Sequence, residues 1–215
     1  ALGNLKAAAP PLAADPDALA AMEKALGDRP RWLAASTHLG EETMAGAIHG
    51  ALAPDHPGLI TLIAPRHPNR GPEIAKALTA QGLNVGLGSR GDVPGPGTDI
   101  FIADSLGQMG LWFRLAQAVF VGGSFGDYGG HNPLEPARLE CALVFGPDMA
   151  NAQDLADGLV AQGGAVRVAD QHWLQGAIGG LLASPELTAQ RGAAAASYAN
   201  GQARVLDAPM DAITP

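Results

Sequence analysis

The feature that most constrains the fold is a regular alternation between short apolar runs and longer amphipathic stretches. This alternation is typical of a parallel β-sheet that is covered by helices on both faces. We therefore predict an α/β fold with a Rossmann-like, doubly wound and mostly parallel sheet. The predicted strands are Trp32–Ala35, Leu59–Ala64, Asn84–Leu87, Ile100–Ala103, Ala118–Val121, Ala142–Phe145 and Ala165–Val168.

The stretches between and after these runs have helical length and helical periodicity. The predicted helices are Glu41–Ala53, Gly71–Gln81, Gln108–Ala116, Pro133–Glu140, Ala152–Gln162, Gln171–Ala183 and Pro185–Leu206. Ala7–Asp17 is rich in Ala and Pro, and we expect it to be irregular. The last helix is expected either to pack on this domain or to reach towards a partner domain.

Composition excludes several classes of protein. The chain has 215 residues and a formal net charge of −8, whereas nucleic-acid-binding proteins carry a basic surface. Cys141 is the only cysteine, so no intrachain disulfide can form, and its apolar context predicts a core thiol. No apolar run approaches the ~20 residues of a membrane span, and no signal-peptide pattern is present. Because the chain begins at Ala1 without an initiator Met, we expect a fragment of a longer protein.

Several familiar catalytic and cofactor motifs are missing from the sequence. The first predicted strand is not followed by a dinucleotide-binding glycine motif, and no Gly-Lys-Ser/Thr phosphate loop or nucleophile elbow occurs. The spacing of Asp, His and Cys residues predicts no metal site. His38, His49, His56 and His172 are scattered along the chain, and none of them is predicted to be catalytic.

Ligands of open parallel sheets bind beyond the carboxyl ends of the strands, so the residues that follow each strand are candidates. Ser36 or Thr37 follows the first predicted strand and could cap the next helix. Glu41 and Glu42 suit the positive end of that helix. In a functional interpretation, free amide groups of this segment would face a ligand.

Basic and capping residues follow two further predicted strands. Arg66 and Arg70 come after the second strand, where a planar guanidinium would match a phosphate or a carboxylate. A solvated turn is the alternative there. After the fourth strand, Ser105 and Gln108 have the spacing of a capping box, and Gly107 would allow a ligand to approach the backbone.

The segment Gly122–Glu135 follows the fifth predicted strand and is the strongest candidate site. Two glycine pairs bracket a short loop that ends at a predicted helix start. Asn132 is a good N-cap and Pro133 a good first helical residue, so ordinary capping explains part of the pattern. A glycine-rich loop before a helix N-terminus also predicts an anion site, where Glu135 could accept hydrogen bonds from ribose hydroxyls.

Several runs of this sequence resemble the 3-deoxy-D-manno-octulosonic acid (Kdo) transferases of lipopolysaccharide assembly. The resemblance spans nearly the whole chain but only the C-terminal half of such an enzyme. The runs that match in order are Gly3-Asn4-Leu5-Lys6, Ala35-Ser36-Thr37-His38 with Gly40-Glu41-Glu42, Pro65-Arg66-His67-Pro68, and Gly122-Gly123-Ser124 with Gly130-His131-Asn132-Pro133-Leu134-Glu135.

The resemblance implies an inverting, metal-independent glycosyltransferase of the two-domain GT-B fold, with no cofactor. Such enzymes transfer Kdo from CMP-Kdo to the lipid A precursor at the cytoplasmic face of the bacterial inner membrane. The C-terminal half binds the donor, while the N-terminal half carries the acceptor site, the membrane contact and the catalytic base. We therefore expect residues 1–17 to lead in from the N-terminal domain and residues 18–215 to form a soluble donor-binding domain without activity of its own.

The family's donor-binding residues can be placed on matching positions of this sequence. The expected CMP-Kdo contacts are Pro65, Arg66, Leu106, Gly107, Gln108, Asn132, Pro133, Leu134 and Glu135. Further candidates at the cleft are Ser36, Thr37, Gly123, Ser124 and His131. Leu106 and Gln108 replace a Met and a Glu of the family pattern, which leaves a backbone contact but removes a carboxylate.

Two alternatives remain open on the sequence alone. The chain could belong to another GT-B enzyme that uses a UDP-sugar, such as a glycan transferase or an epimerase. It could also be a nucleotide-binding module without turnover.

Overall fold

A seven-stranded sheet with helices on both faces forms the fold of the computed structural model, which describes residues 10–207. The strands are β1 (Arg31–Thr37), β2 (Ile60–Pro65), β3 (Val85–Leu87), β4 (Ile100–Ile102), β5 (Ala118–Val121), β6 (Ala142–Phe145) and β7 (Ala165–Arg167). The α-helices are α1 (Pro16–Leu26), α2 (Glu41–Leu52), α3 (Gly71–Thr79), α4 (Met109–Leu115), α5 (Leu134–Ala137), α6 (Gln153–Ala161), α7 (Gln171–Ala183) and α8 (Pro185–Asp207). The predicted α/β class is confirmed.

The order of the strands creates a crevice beside β1. The sheet order is β3-β4-β2-β1-β5-β6-β7, and all pairings between these strands are parallel. The chain builds one side of the sheet from β1 through β2, β3 and β4 and then starts the other side at β5. Neighbouring loops diverge at such a switch point, which is where doubly wound proteins bind ligands.

Apolar side chains alternate along the strands and form one core on each face of the sheet. In β1, Leu33 and Ala35 pack with the cluster that includes α1, α4 and α8. Trp32 and Ala34 face the opposite cluster, which includes α2, α3 and α7. Both faces of the central strands are therefore buried, which explains their continuous apolar sequence.

Helix α1 was not predicted, although its signals are local. The Asp15 side chain caps the helix by accepting the N–H groups of Asp17 and Ala18, and Pro16 is the first helical residue. Leu26 is buried in the core. The domain boundary predicted at residue 17 thus falls within a packed helix, while Gly3-Asn4-Leu5-Lys6 lies outside the described residues.

Helix α8 packs on this domain, which settles the two alternatives for the last helix. Ala195 and Ala199 are fully buried against the sheet. Gly192 lies directly on the carbonyl oxygen of Glu140, so that even a Cβ atom would overlap it. Although α8 has 23 residues, no helix within residues 10–207 has both the length and the apolar character needed to cross a membrane.

Candidate functional site

A cleft of about 1110 Å³ lies at the carboxyl ends of the central strands. The loops after β1, β2 and β5 line it on one side, and the start of α6 and part of α8 line it on the other. Five of the candidate residues share this cleft: Ser36, Arg66, His131, Asn132 and Glu135. The cleft therefore coincides with the crevice beside β1.

Arg66 supplies an exposed cation to the cleft. Pro65, the last residue of β2, pairs in register with Thr37 and is buried, and the Arg66 N–H donates to the Thr37 carbonyl at 3.0 Å. None of the ion pairs among the described residues includes Arg66. Arg70 differs, because its Nη1 lies 2.7 Å from Oε1 of the buried Glu42. Of the two arginines predicted for this turn, Arg66 lines the cleft and Arg70 does not.

Asn132 and Glu135 present polar atoms beside a very short helix. The Asn132 Oδ1 accepts the Leu134 N–H at 3.1 Å, and its Nδ2 donates to Glu135 Oε1 at 3.3 Å. Pro133 and Leu134 are buried, so their side chains are packed away from solvent. The predicted helix Pro133–Glu140 is shorter than expected, because α5 ends at Ala137. With a single turn, α5 offers little dipole to an anion, and the side chains must provide most of the recognition.

The amide groups of the glycine-rich loop are already bound to an internal carboxylate. Glu41 Oε2 accepts the N–H groups of His38 and Gly123 at 2.9 and 2.8 Å. Its Oε1 accepts those of Ser124 and Phe125, both at 3.1 Å. Burial raises the pKa of the Glu41 carboxyl above its ordinary value, and these four donors act in the opposite direction. These four N–H groups are therefore occupied by an internal carboxylate, and a ligand anion at this loop would need other donors.

Gly123 and Ser124 shape the loop from inside. Ser124 is fully buried, where its hydroxyl donates to the Val121 carbonyl at 2.7 Å and accepts the Gly146 N–H at 2.8 Å. Gly123 has φ 68°, and a Cβ atom there would lie 3.0 Å from the His131 ring. Neither residue lines the cleft. Gly123 leaves room for the His131 ring, and Ser124 ties the loop to β5 and to Gly146.

Ser36 and Thr37 do not cap helix α2. Strand β1 continues to Thr37, with a bulge at Ser36, whose φ is 56°. Helix α2 instead has Gly40 as its N-cap and no side-chain cap. Ser36 lines the cleft, whereas Thr37 is fully buried and its hydroxyl has no hydrogen-bond partner among the described residues. The predicted cap is wrong because the strand is longer than the apolar run indicates.

Leu106, Gly107 and Gln108 lie apart from the main cleft. Gly107 and Gln108 line a cavity of about 310 Å³ together with the start of α1, and the Leu106 side chain is 83% exposed. Helix α4 begins at Met109 without a side-chain cap, so the capping box predicted for Ser105 and Gln108 is absent. Gly107 has φ 78°, which explains the glycine in this turn.

Sequence reasoning missed a cluster of aromatic and imidazole rings at the edge of the cleft. The Nε2 atoms of His38 and His131 lie 2.9 Å apart, and the Tyr128 ring stacks on His38 with centroids at 3.9 Å. The His67 ring meets His38 edge-on at 5.9 Å. Burial lowers the pKa of His38, and His67, Arg66 and Arg70 lower it further.

A sequence signal for this cluster was present in the loop positions. His38, His67 and His131 follow β1, β2 and β5, which are adjacent strands in the sheet. Only the strand order brings the three loops together, so spacing along the chain could not reveal the cluster. Within residues 10–207, no group of three or more His, Cys, Asp or Glu side chains is arranged to hold a metal ion.

Comparison with known proteins identifies relatives of this chain. It is 35% identical over 160 residues to the 3-deoxy-D-manno-octulosonic acid transferase of Haemophilus influenzae. It is 34% identical over 216 residues to the enzyme of the same name from Rickettsia felis. These alignments cover 74% and 99% of this chain but 38% and 46% of the relatives, so the chain spans less than half of their length. No family model matches the chain.

A solved structure decides the family. The crystal structure of the C-terminal CMP-Kdo binding domain of WaaA from Acinetobacter baumannii superimposes with a TM-score of 0.79 at 30% identity, over 85% of this chain and 96% of that one. The chain belongs to the 3-deoxy-D-manno-octulosonic acid transferase family. The predicted resemblance to Kdo transferases is thereby confirmed.

The Kdo transferase fold is also shared with more distant glycosyltransferases. The C-terminal domain of LpcC from Francisella tularensis, a group 1 family glycosyl transferase, matches with a TM-score of 0.58 at 13% identity. At this identity the likeness concerns the fold alone. It agrees with the predicted C-terminal half of a GT-B glycosyltransferase.

Proposed function

We propose that this chain is the donor-binding part of a glycosyltransferase that transfers Kdo from CMP-Kdo to the lipid A precursor. The observation that carries the proposal is the cleft beside β1, where Arg66, Asn132 and Glu135 converge. The family membership and the CMP-Kdo-binding relative support the choice of donor.

The chemistry of CMP-Kdo matches the groups in this cleft. The donor carries a phosphate diester and a sugar carboxylate, and the Arg66 guanidinium can bind either one through paired N–H groups. Asn132 and Glu135 are already linked at 3.3 Å and offer an amide and a carboxylate to the ribose hydroxyls. Leu106, Gly107 and Gln108 form a second proposed contact region, which would act through its backbone.

We further infer that the chain binds the donor but does not catalyse transfer alone. An inverting reaction needs a base that removes a proton from the acceptor hydroxyl. We place that base, the acceptor site and the contact with the inner membrane in a part of the transferase outside this chain. The reaction is proposed to proceed without a metal or an organic cofactor.

Calorimetric titration with CMP tests the donor proposal. We expect CMP to bind and UDP to bind more weakly. Arg66→Ala should weaken CMP binding by about 1.5–3 kcal/mol, roughly 10- to 150-fold, because a charged hydrogen bond is lost. Lys24→Ala removes an equal charge from α1, near the opposite ends of the strands, and is the matched control.

Two outcomes would contradict the proposal. Tighter binding of UDP than of CMP would favour a UDP-sugar enzyme. No CMP binding at millimolar concentration by the folded chain would exclude the donor site. Adding the remaining part of the transferase and measuring Kdo transfer distinguishes an enzyme from a binding module.

A further inference from the structure

The paired rings of His38 and His131 leave room for only one proton between them. Their planes are nearly parallel, at 6°, and the two Nε2 atoms are 2.9 Å apart. One Nε2–H therefore donates to the other Nε2, which must be unprotonated to accept it. A proton on both Nε2 atoms would place two N–H groups face to face.

The charged groups around the pair disfavour an additional proton on it. Arg66 and His67 approach from the loop after β2, and Arg70 from the turn that follows. Tyr128 covers one face of the His38 ring. On the α2 side, Glu41 accepts the backbone N–H of His38. Burial and the neighbouring cations all disfavour a second proton, and together they lower the pKa of His38.

The pair also faces the proposed donor. His131 lines the same cleft as Arg66 and Asn132. A dianionic ligand in that cleft would offset the positive field that opposes protonation of the pair. The second proton would then be stabilised by the ligand that it helps to bind.

We propose that His38 and His131 bind an anionic oxygen of the donor by taking up one proton from solvent. In the ligand-free protein both rings are neutral, a single proton lies between the two Nε2 atoms, and the accepting ring carries its own proton on Nδ1. When the donor binds, the accepting ring takes up a proton at Nε2 and becomes an imidazolium, the bond between the rings breaks, and one Nε2–H donates to the ligand. This inference rests on the proposed function, and it adds a binding role for His38 that the family resemblance does not give.

Proton uptake on binding is the direct test. CMP-Kdo is titrated into the chain by calorimetry at pH 7 in two buffers of different ionisation enthalpy. The diester and the sugar carboxylate remain ionised near pH 7, so any proton taken up goes to the protein. We expect a net uptake above zero and at most one proton. We also expect the affinity to fall as pH rises, by no more than tenfold per pH unit.

Conservative substitutions locate the proton. His38→Gln and His131→Gln keep a polar amide but cannot be protonated, so each should abolish the uptake and flatten the pH profile. His172→Gln removes an exposed histidine on α7 and should change neither. Comparison with CMP shows which ligand oxygen the histidine pair contacts. If His131→Gln loses equal affinity for CMP and for CMP-Kdo, the contacted oxygen belongs to the phosphate. If it loses affinity for CMP-Kdo alone, the contacted oxygen belongs to the sugar.

Two results would overturn the inference while leaving the proposed function in place. One is CMP-Kdo binding to the wild-type chain with no proton uptake. The other is undiminished uptake in both glutamine variants. Failure of CMP-Kdo to bind at all would instead overturn the proposed function, and this inference with it.

Discussion

At the scale of single residues, Glu41 shows how local signals can mislead. Its position in the first turn of α2 fits an ordinary helix start, and a glycine-rich loop fits an anion site. Both features are present, but the anion is the protein's own carboxylate. The loop N–H groups that bind the Glu41 carboxylate lie 82 to 84 residues away in sequence, so no local pattern could assign them as its partners.

Glu41→Gln should destabilise the fold. The amide retains one oxygen, but its NH₂ group would face two backbone N–H donors, which would be left buried without acceptors. We expect the free energy of unfolding to fall by about 1–3 kcal/mol or more in urea denaturation. Glu73→Gln, on an exposed helical position, is the control and should change it by less than about 0.5 kcal/mol. Equal effects of the two variants would contradict this role of Glu41.

His49 should make stability depend on pH. It is buried, and its Nδ1 lies 3.0 Å from Thr61 Oγ1. Burial lowers the pKa of His49 below its ordinary value, although Asp99 acts in the opposite direction. The unfolded chain therefore binds a proton that the folded chain resists, and stability should decrease as pH falls from about 7.5 to 5.5, by at most about 1.4 kcal/mol per pH unit for this group. His49→Gln should reduce that slope, and an unchanged slope in denaturation at several pH values would refute the assignment.

At the scale of secondary-structure elements, the sequence predicts the centres of elements better than their ends. Helix α1 could have been predicted, because Asp15 and Pro16 mark its start. The early end of α5 could not, because it depends on the turn in which Glu140 adopts φ 59° beneath α8. The extra length of β1 likewise depends on its pairing with β2.

The packing of α8 predicts opposite effects for two of its glycines. A Cβ at Gly192 would overlap the Glu140 carbonyl, so Gly192→Ala should lower the free energy of unfolding by about 1–3 kcal/mol. Gly201 has open space around it, and Gly201→Ala should raise stability by up to about 1 kcal/mol through helix propensity. Urea denaturation of both variants checks this, and stabilisation by both would show that α8 does not pack closely on the turn at Glu140.

At the scale of the whole molecule, the alternation of apolar runs was sufficient to predict the seven strands and the α/β class. The order of the strands within the sheet was not predicted from the sequence. This order gathers Ser36, Arg66 and His131 around one cleft. The predicted candidates Gly107 and Gln108 line a separate cavity, Leu106 is exposed to solvent, and the histidine pair was missed. Sites built by converging loops therefore need the topology as well as the motifs.

The central claim is that the donor nucleotide occupies the cleft beside β1. An NMR titration of the isotopically labelled 21.8 kDa chain with CMP tests this claim most directly. We predict that the largest amide shifts belong to the loops after β1, β2 and β5, including Ser36, Arg66, His131 and Glu135. These shifts should grow in proportion to the fraction of the chain that is bound. Shifts confined to the opposite edge of the sheet, or no shifts at millimolar CMP, would contradict it.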